Sequence, residues 1–114
     1  MGEARNRGTA AQRIAEAHER MTLEVERARK DMGYDESAKF CGFVIYVPET
    51  DDYLGKVKQT KDATLWGYVR SPENALKYED PLRAHIVASE LAKRAVVGVM
   101  FDLGSQFGVA FNEE

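Results

Sequence analysis

Seven positions spaced alternately three and four apart, Ala11, Ile14, His18, Met21, Val25, Ala28 and Met32, form one stripe along residues 10–32. That spacing is a heptad seam on an α-helix, with Glu and Arg on most other positions. The helical limits are marked in the sequence. Thr9 followed by Gln12 is a capping box, and Gly33 is a C-terminal stop preceded by Arg29 and Lys30, which suit the negative end of the helix dipole. A helix of this length is roughly 35 Å long at ~1.5 Å per residue. Its stripe is narrow, two members being Ala and one His within Ala11–Ala28, so it cannot bury much alone. It must lie on a sheet or pair with a copy or a partner. Self-association through Ile14, His18, Met21, Val25 and Ala28 is therefore expected, and docking on the chain's own sheet is the alternative that periodicity cannot separate from it.

Strand patterns follow the helix. Phe40–Val47 is rich in β-branched and aromatic residues and ends at Pro48; Tyr53–Lys58 and Thr64–Arg70 are two further candidates. Ser71-Pro72-Glu73 opens a helical turn, with Ser at the cap and Pro at the first helical position. Asp80-Pro81 opens a second helix by the same logic, whose face of Ala84, Val87, Ala88, Leu91 and Ala95 predicts a core helix. Val96–Phe101, a turn at Leu103–Gln106, and Phe107, Val109 and Phe111 alternating with Gly108 and Ala110 predict a closing hairpin. The alternation implies one buried face and one bearing only small groups.

The expected architecture is α+β: a basic mobile arm over residues 1–8, a long amphipathic helix over 9–33, and a compact α+β domain over 34–114. In that domain an antiparallel sheet of four to five strands is covered on one face by the central helix. The other face is covered by the N-terminal helix or left for a partner. With 114 residues there is room for one core. Uncharged apolar runs are short: Phe40–Val47 has eight residues and Ala95–Phe101 seven, whereas a membrane span needs roughly 20. The start, Met-Gly-Glu-Ala-Arg-Asn-Arg, has no apolar stretch behind its basic residues, so no secretory signal and a cytoplasmic location in a bacterial host cell are expected.

Reactive groupings are scarce. The single Cys41 allows no internal disulfide, and with only His18 and His85 no Cys/His zinc pattern can be assembled, so no metal or other cofactor is expected. Glu49, Asp51 and Asp52 lack the glycine and ligand spacing of a calcium loop and read as a solvated turn. No P-loop, dinucleotide fingerprint or paired-carboxylate motif is present, so no catalytic residue is assigned and a non-enzymatic chain is expected. The net charge of −3 is divided: residues 1–30 carry +2 and residues 31–60 carry −3.

The cluster Lys56, Lys58, Lys61, Trp66, Tyr68 and Arg70 is the candidate partner-binding surface. On a strand from Thr64, Trp66, Tyr68 and Arg70 share one face, and amphipathic side chains of this kind are enriched at interfaces. Trp66 and Tyr68 either serve that contact or pack beneath the N-terminal helix. The alternative partner is nucleic acid, met by Arg5, Arg7 and Arg13 with the lysines of residues 56–61.

Tyr-Leu-Gly-Lys at residues 53–56, Trp66, the run Ser-Pro-Glu-Asn-Ala-Leu-Lys-Tyr at 71–78 and a helix with spaced alanines resemble small accessory proteins encoded by bacteriophages and prophages. The opening Arg-Asn-Arg-Gly-Thr with Arg13 looks like the start of some phage-encoded chains. The resemblance implies an origin in a mobile element and a small protein that binds and blocks a host protein or ribonucleoprotein complex, as anti-CRISPR and anti-restriction proteins do. It carries no catalytic residue across. The dense acidic surface of a DNA mimic is missing here.

Overall fold

The computed structural model describes residues 10–111. The basic arm over 1–8 and the Thr9 half of the capping box lie outside the described residues. Helix α1 spans Ala10–Met32, as the seam predicts. Gly33 ends it in the left-handed region, φ 73°, where a residue with a Cβ is strained. Its amide donates to the Lys30 carbonyl at 3.1 Å and that of Tyr34 to the Arg29 carbonyl at 2.9 Å, which together close a Schellman cap. Arg29 fixes this end to the sheet. Its guanidinium donates to the carbonyls of Asp35 and Ala38 and lies 5.2 Å from the centre of the Phe101 ring.

Five strands follow: β1 Lys39–Val47, β2 Asp52–Gln59, β3 Thr64–Val69, β4 Val96–Asp102 and β5 Phe107–Phe111. They form one antiparallel sheet in the order β3-β2-β1-β4-β5. The central strand β1 is the most apolar segment, and Phe43, Val44, Ile45 and Val47 are all buried. A bulge between Phe40 and Gly42 breaks its register with β4. Gly42 there takes φ 146°, and a Cβ would fall 2.7 Å from the Lys77 Cβ.

β1 and β2 pair only at Tyr46–Tyr53 and Val47–Asp52. Beyond these the β2–β3 hairpin diverges, and the chain that returns from β3 fills the gap. A 3-10 turn at Pro72–Asn74 leads into it. The Leu76 amide donates to Leu54 at 3.0 Å, and Tyr78 exchanges backbone hydrogen bonds of 2.8 and 2.9 Å with Phe43. Ala75 packs on Val44 and Met100, whereas Leu76 and Tyr78 pack in the main core, so this connection passes from one side of the sheet to the other.

Helix α2 is Pro81–Ser89, capped by Asp80 with Pro81 in the first turn. It stops six residues short of the predicted Ala95. The Glu90 amide turns back to Val87 at 3.0 Å and Leu91 to Ala88 at 3.3 Å, tightening the last turn so that the chain can enter β4 at Val96. Leu91 is buried even so.

Both helices cover the same face. Val25 and Ala28 of α1 join Ala84, Val87 and Ala88 of α2 over Phe43, Ile45, Val47, Val97, Val99, Phe101 and Ala110. Apart from the crossing connection, the opposite face carries no helix among the described residues. Two expectations are corrected here. The seam is not wholly free for a partner: Val25, 5% exposed, and Ala28 are buried against the chain's own sheet, and Met21 is half-buried on it. Only the N-terminal part stays outside, with Ile14 70% exposed and His18 exposed. The β5 faces are also reversed. Ala110 and Gly108 point to the helices, and Phe107, Val109 and Phe111 point away from them. Close approach of the helical layer is the reason. A Cβ on Gly108 would collide with the Tyr34 hydroxyl, so only glycine fits at that position.

Candidate functional site

The uncovered face of the sheet is the one without helices; its middle, Val44 and Met100, is buried with Ala75 of the crossing connection, and four strands contribute the side chains around it. β5 contributes Phe107, Val109 and Phe111, β1 contributes Tyr46, β2 Tyr53, and β3 Leu65 and Val69. Phe107 is 42% exposed and Phe111 36%, and Leu65 is also exposed. Phe107 and Phe111, two exposed aromatic side chains on one strand with Val109 between them, mark a candidate interaction surface.

At one end of this face three rings lie in a row. Tyr53 and Tyr46 have centroids 5.1 Å apart, and Tyr46 and Phe111 4.9 Å, with ring planes inclined by 50° and 41°. The row runs from β2 through β1 to β5 and crosses β4 at Gly98. A Cβ on Gly98 would sit 2.9 Å from the Phe111 ring and 2.6 Å from a Val109 methyl, so the glycine leaves the space the row occupies.

Asp51, in the β1–β2 turn, stands beside these rings with φ 55°. The Tyr46 hydroxyl donates to its carboxylate at 2.5 Å. That hydrogen bond, with burial and the negative charge behind it, pushes the Tyr46 phenol up to about 12. Tyr53 is raised as well, by burial first and then by Asp51. Both phenols are held neutral and the local field is negative. The ion pairs Arg20–Asp80 and Arg29–Glu26 lie elsewhere, and neither uses Asp51.

The six residues expected to form one contact surface are placed on two. Trp66 pairs with Val57 and packs in the main core, on the helical face. It lies beside α2, lining a cleft of about 280 Å³ with Tyr78, Arg83 and Val87. Tyr68, opposite Leu54, is on the same face and partly exposed. Lys56 and Lys58 pair with Gly67 and Leu65, so they project from the uncovered face. Lys61 is exposed in the β2–β3 turn, and Arg70 is exposed just after β3. Of the seam, Ile14, His18 and Met21 border a shallow groove with Asp80.

Cys41 is half-buried, and its thiol pKa is raised by burial, then by Asp102, against an opposing effect of Lys77. A raised pKa leaves little thiolate for nucleophilic attack at neutral pH. His85 is exposed on α2. Among the described residues no three His, Cys, Asp or Glu side chains gather to hold a metal ion, and no helix is long and apolar enough to cross a membrane.

The aromatic row was not singled out from the sequence. The usable signal was the pairing of large with minimal residues in β5, Phe-Gly-Val-Ala-Phe, where the small residues mark the side approached by a helix. Comparison of the chain with protein-family models, curated proteins and solved structures finds no match in any of the three.

Proposed function

We propose that this chain is a non-enzymatic protein-binding module that engages its target through the uncovered face of the sheet. The observation that carries the reading is the orientation of β5: Phe107, Val109 and Phe111 face away from both helices and leave apolar surface in solvent. A target of the phage-type class, a host complex such as a CRISPR or restriction defence system, is the further part of the proposal, and it rests on the sequence resemblance. Asp51 beside the rings favours a protein over nucleic acid, because a carboxylate at that place repels phosphates.

The test is co-purification from bacterial lysate with the wild type and with Phe107→Ser and Phe111→Ser. The expected result is one stoichiometric protein complex that both substitutions release while thermal unfolding is retained. A complex that survives both substitutions would place the contact elsewhere, and recovery of chaperones alone would remove the reading.

A further inference from the structure

We infer that the row of Tyr53, Tyr46 and Phe111 with Asp51 receives an arginine side chain from a basic segment of the partner protein. The inference rests on the reading of the uncovered face as the binding surface and names the chemistry of what binds there. Two independent features of the surface select that group. The first is the row of three mutually tilted rings, with Tyr46 and Tyr53 half-buried and Phe111 36% exposed; an aromatic ring face carries the negative side of its quadrupole and attracts a flat cation. The second is the Asp51 carboxylate, fixed beside the row by the Tyr46 hydroxyl at 2.5 Å. A carboxylate has two oxygens and room for a forked donor in addition to the phenol.

A guanidinium satisfies both requirements at once, since it lies flat on a ring and donates in its own plane. An ammonium meets the charge but not the plane, so lysine is the weaker occupant. A glutamate or a phosphate is repelled. On β2, the same face bears Lys56 and Lys58 at the far end, so the attraction for a basic segment is confined to the Asp51 end. The bound segment therefore has a fixed register: its arginine sits at the ring row, and its apolar residues run toward Val109 and Phe107.

The experiment is an NMR titration of the full chain with three synthetic peptides that share a Gly-Ser backbone and carry arginine, lysine or glutamate, together with a short single-stranded oligonucleotide. The expected result is a shift of the Tyr46, Tyr53 and Phe111 ring resonances with the arginine peptide, weaker with lysine and absent with the other two. Asp51→Asn keeps a residue type that tolerates positive φ and should lower the affinity for the arginine peptide about 10-fold. Phe111→Leu keeps apolar bulk without a ring and should lower it also, with unfolding unchanged. Equal response to arginine and glutamate, response to the oligonucleotide, or shifts confined to other regions would overturn the inference. So would ring shifts that grow with protein concentration in the absence of peptide, because the occupant would then be a second copy. Failure here together with loss of the lysate complex in Phe111→Ser leaves the uncovered face as the contact and removes only the arginine.

Discussion

Arg20 of α1 holds Asp80 by two parallel hydrogen bonds, Nε to Oδ1 at 3.2 Å and Nη2 to Oδ2 at 2.9 Å. Asp80 also accepts the Leu82 amide at 3.0 Å as the N-cap of α2. One carboxylate thus starts the second helix and ties it to the first, which fixes how the helical layer sits on the sheet.

Asp80→Ala removes both functions and should cost about 1 kcal/mol for the cap, read from urea unfolding. Asp80→Asn keeps the cap acceptor and loses the charged pair, so its cost should be smaller and should shrink with added salt. The Arg20 hydrogen bond is the largest of the effects that hold the Asp80 carboxyl below its ordinary 3.8. The folded pKa is depressed, so the contribution is present above pH 3.8 and is lost as pH falls through the folded value. In Asp80→Asn this part of the acid sensitivity should disappear.

Tyr46 gives the opposite dependence at high pH. Its phenol is raised from 10.0 to about 12, so the unfolded chain releases this proton before the folded one. The stabilising effect is complete below pH 10 and is lost as pH rises toward 12. Ultraviolet titration should show Tyr46 among several late phenols, since Tyr53, Tyr68 and Tyr78 are raised by burial as well, and Asp51→Asn should bring Tyr46 down toward the ordinary value.

The two ends of α1 should respond differently to substitution. Val25→Ala opens a cavity against the sheet and should cost about 1–3 kcal/mol. Ile14→Ser, on the projecting end, should change stability by less than about 0.5 kcal/mol. Chemical denaturation of both variants checks the difference; equal costs would mean that the whole seam is buried in solution by a second copy.

On β5, Ala110→Phe should destabilise by about 2 kcal/mol or more because it overfills the space beneath α1. Phe107→Ser should leave the midpoint of unfolding nearly unchanged and affect binding instead. Gly42→Ala should cost about 1–3 kcal/mol, from the combination of a positive φ and the close Lys77 side chain.

Local chemistry in the sequence was enough to mark most elements. The Gly33 stop, the Asp80-Pro81 start and the β-branched run of β1 each specify their structure through neighbours a few residues away, and the structure shows them there. The α2 end was less legible, because Leu91 continues the helical apolar spacing while the chain has already turned toward β4.

What the sequence alone determined was the order of helix and strand and the α+β class, since periodicity, caps and turn residues act over short distances. Tertiary structure decided which side of each element is covered. Alternation in β5 defines two faces without saying which one a helix will approach, and the heptad seam defines a stripe without saying what lies beneath it. Both answers depend on the packing of α1 across β4 and β5 and on the Arg20–Asp80 link sixty residues apart in the chain. Long-range contacts of that kind leave no periodic trace, and they turn Phe107 and Phe111 to the open side and Val25 to the core.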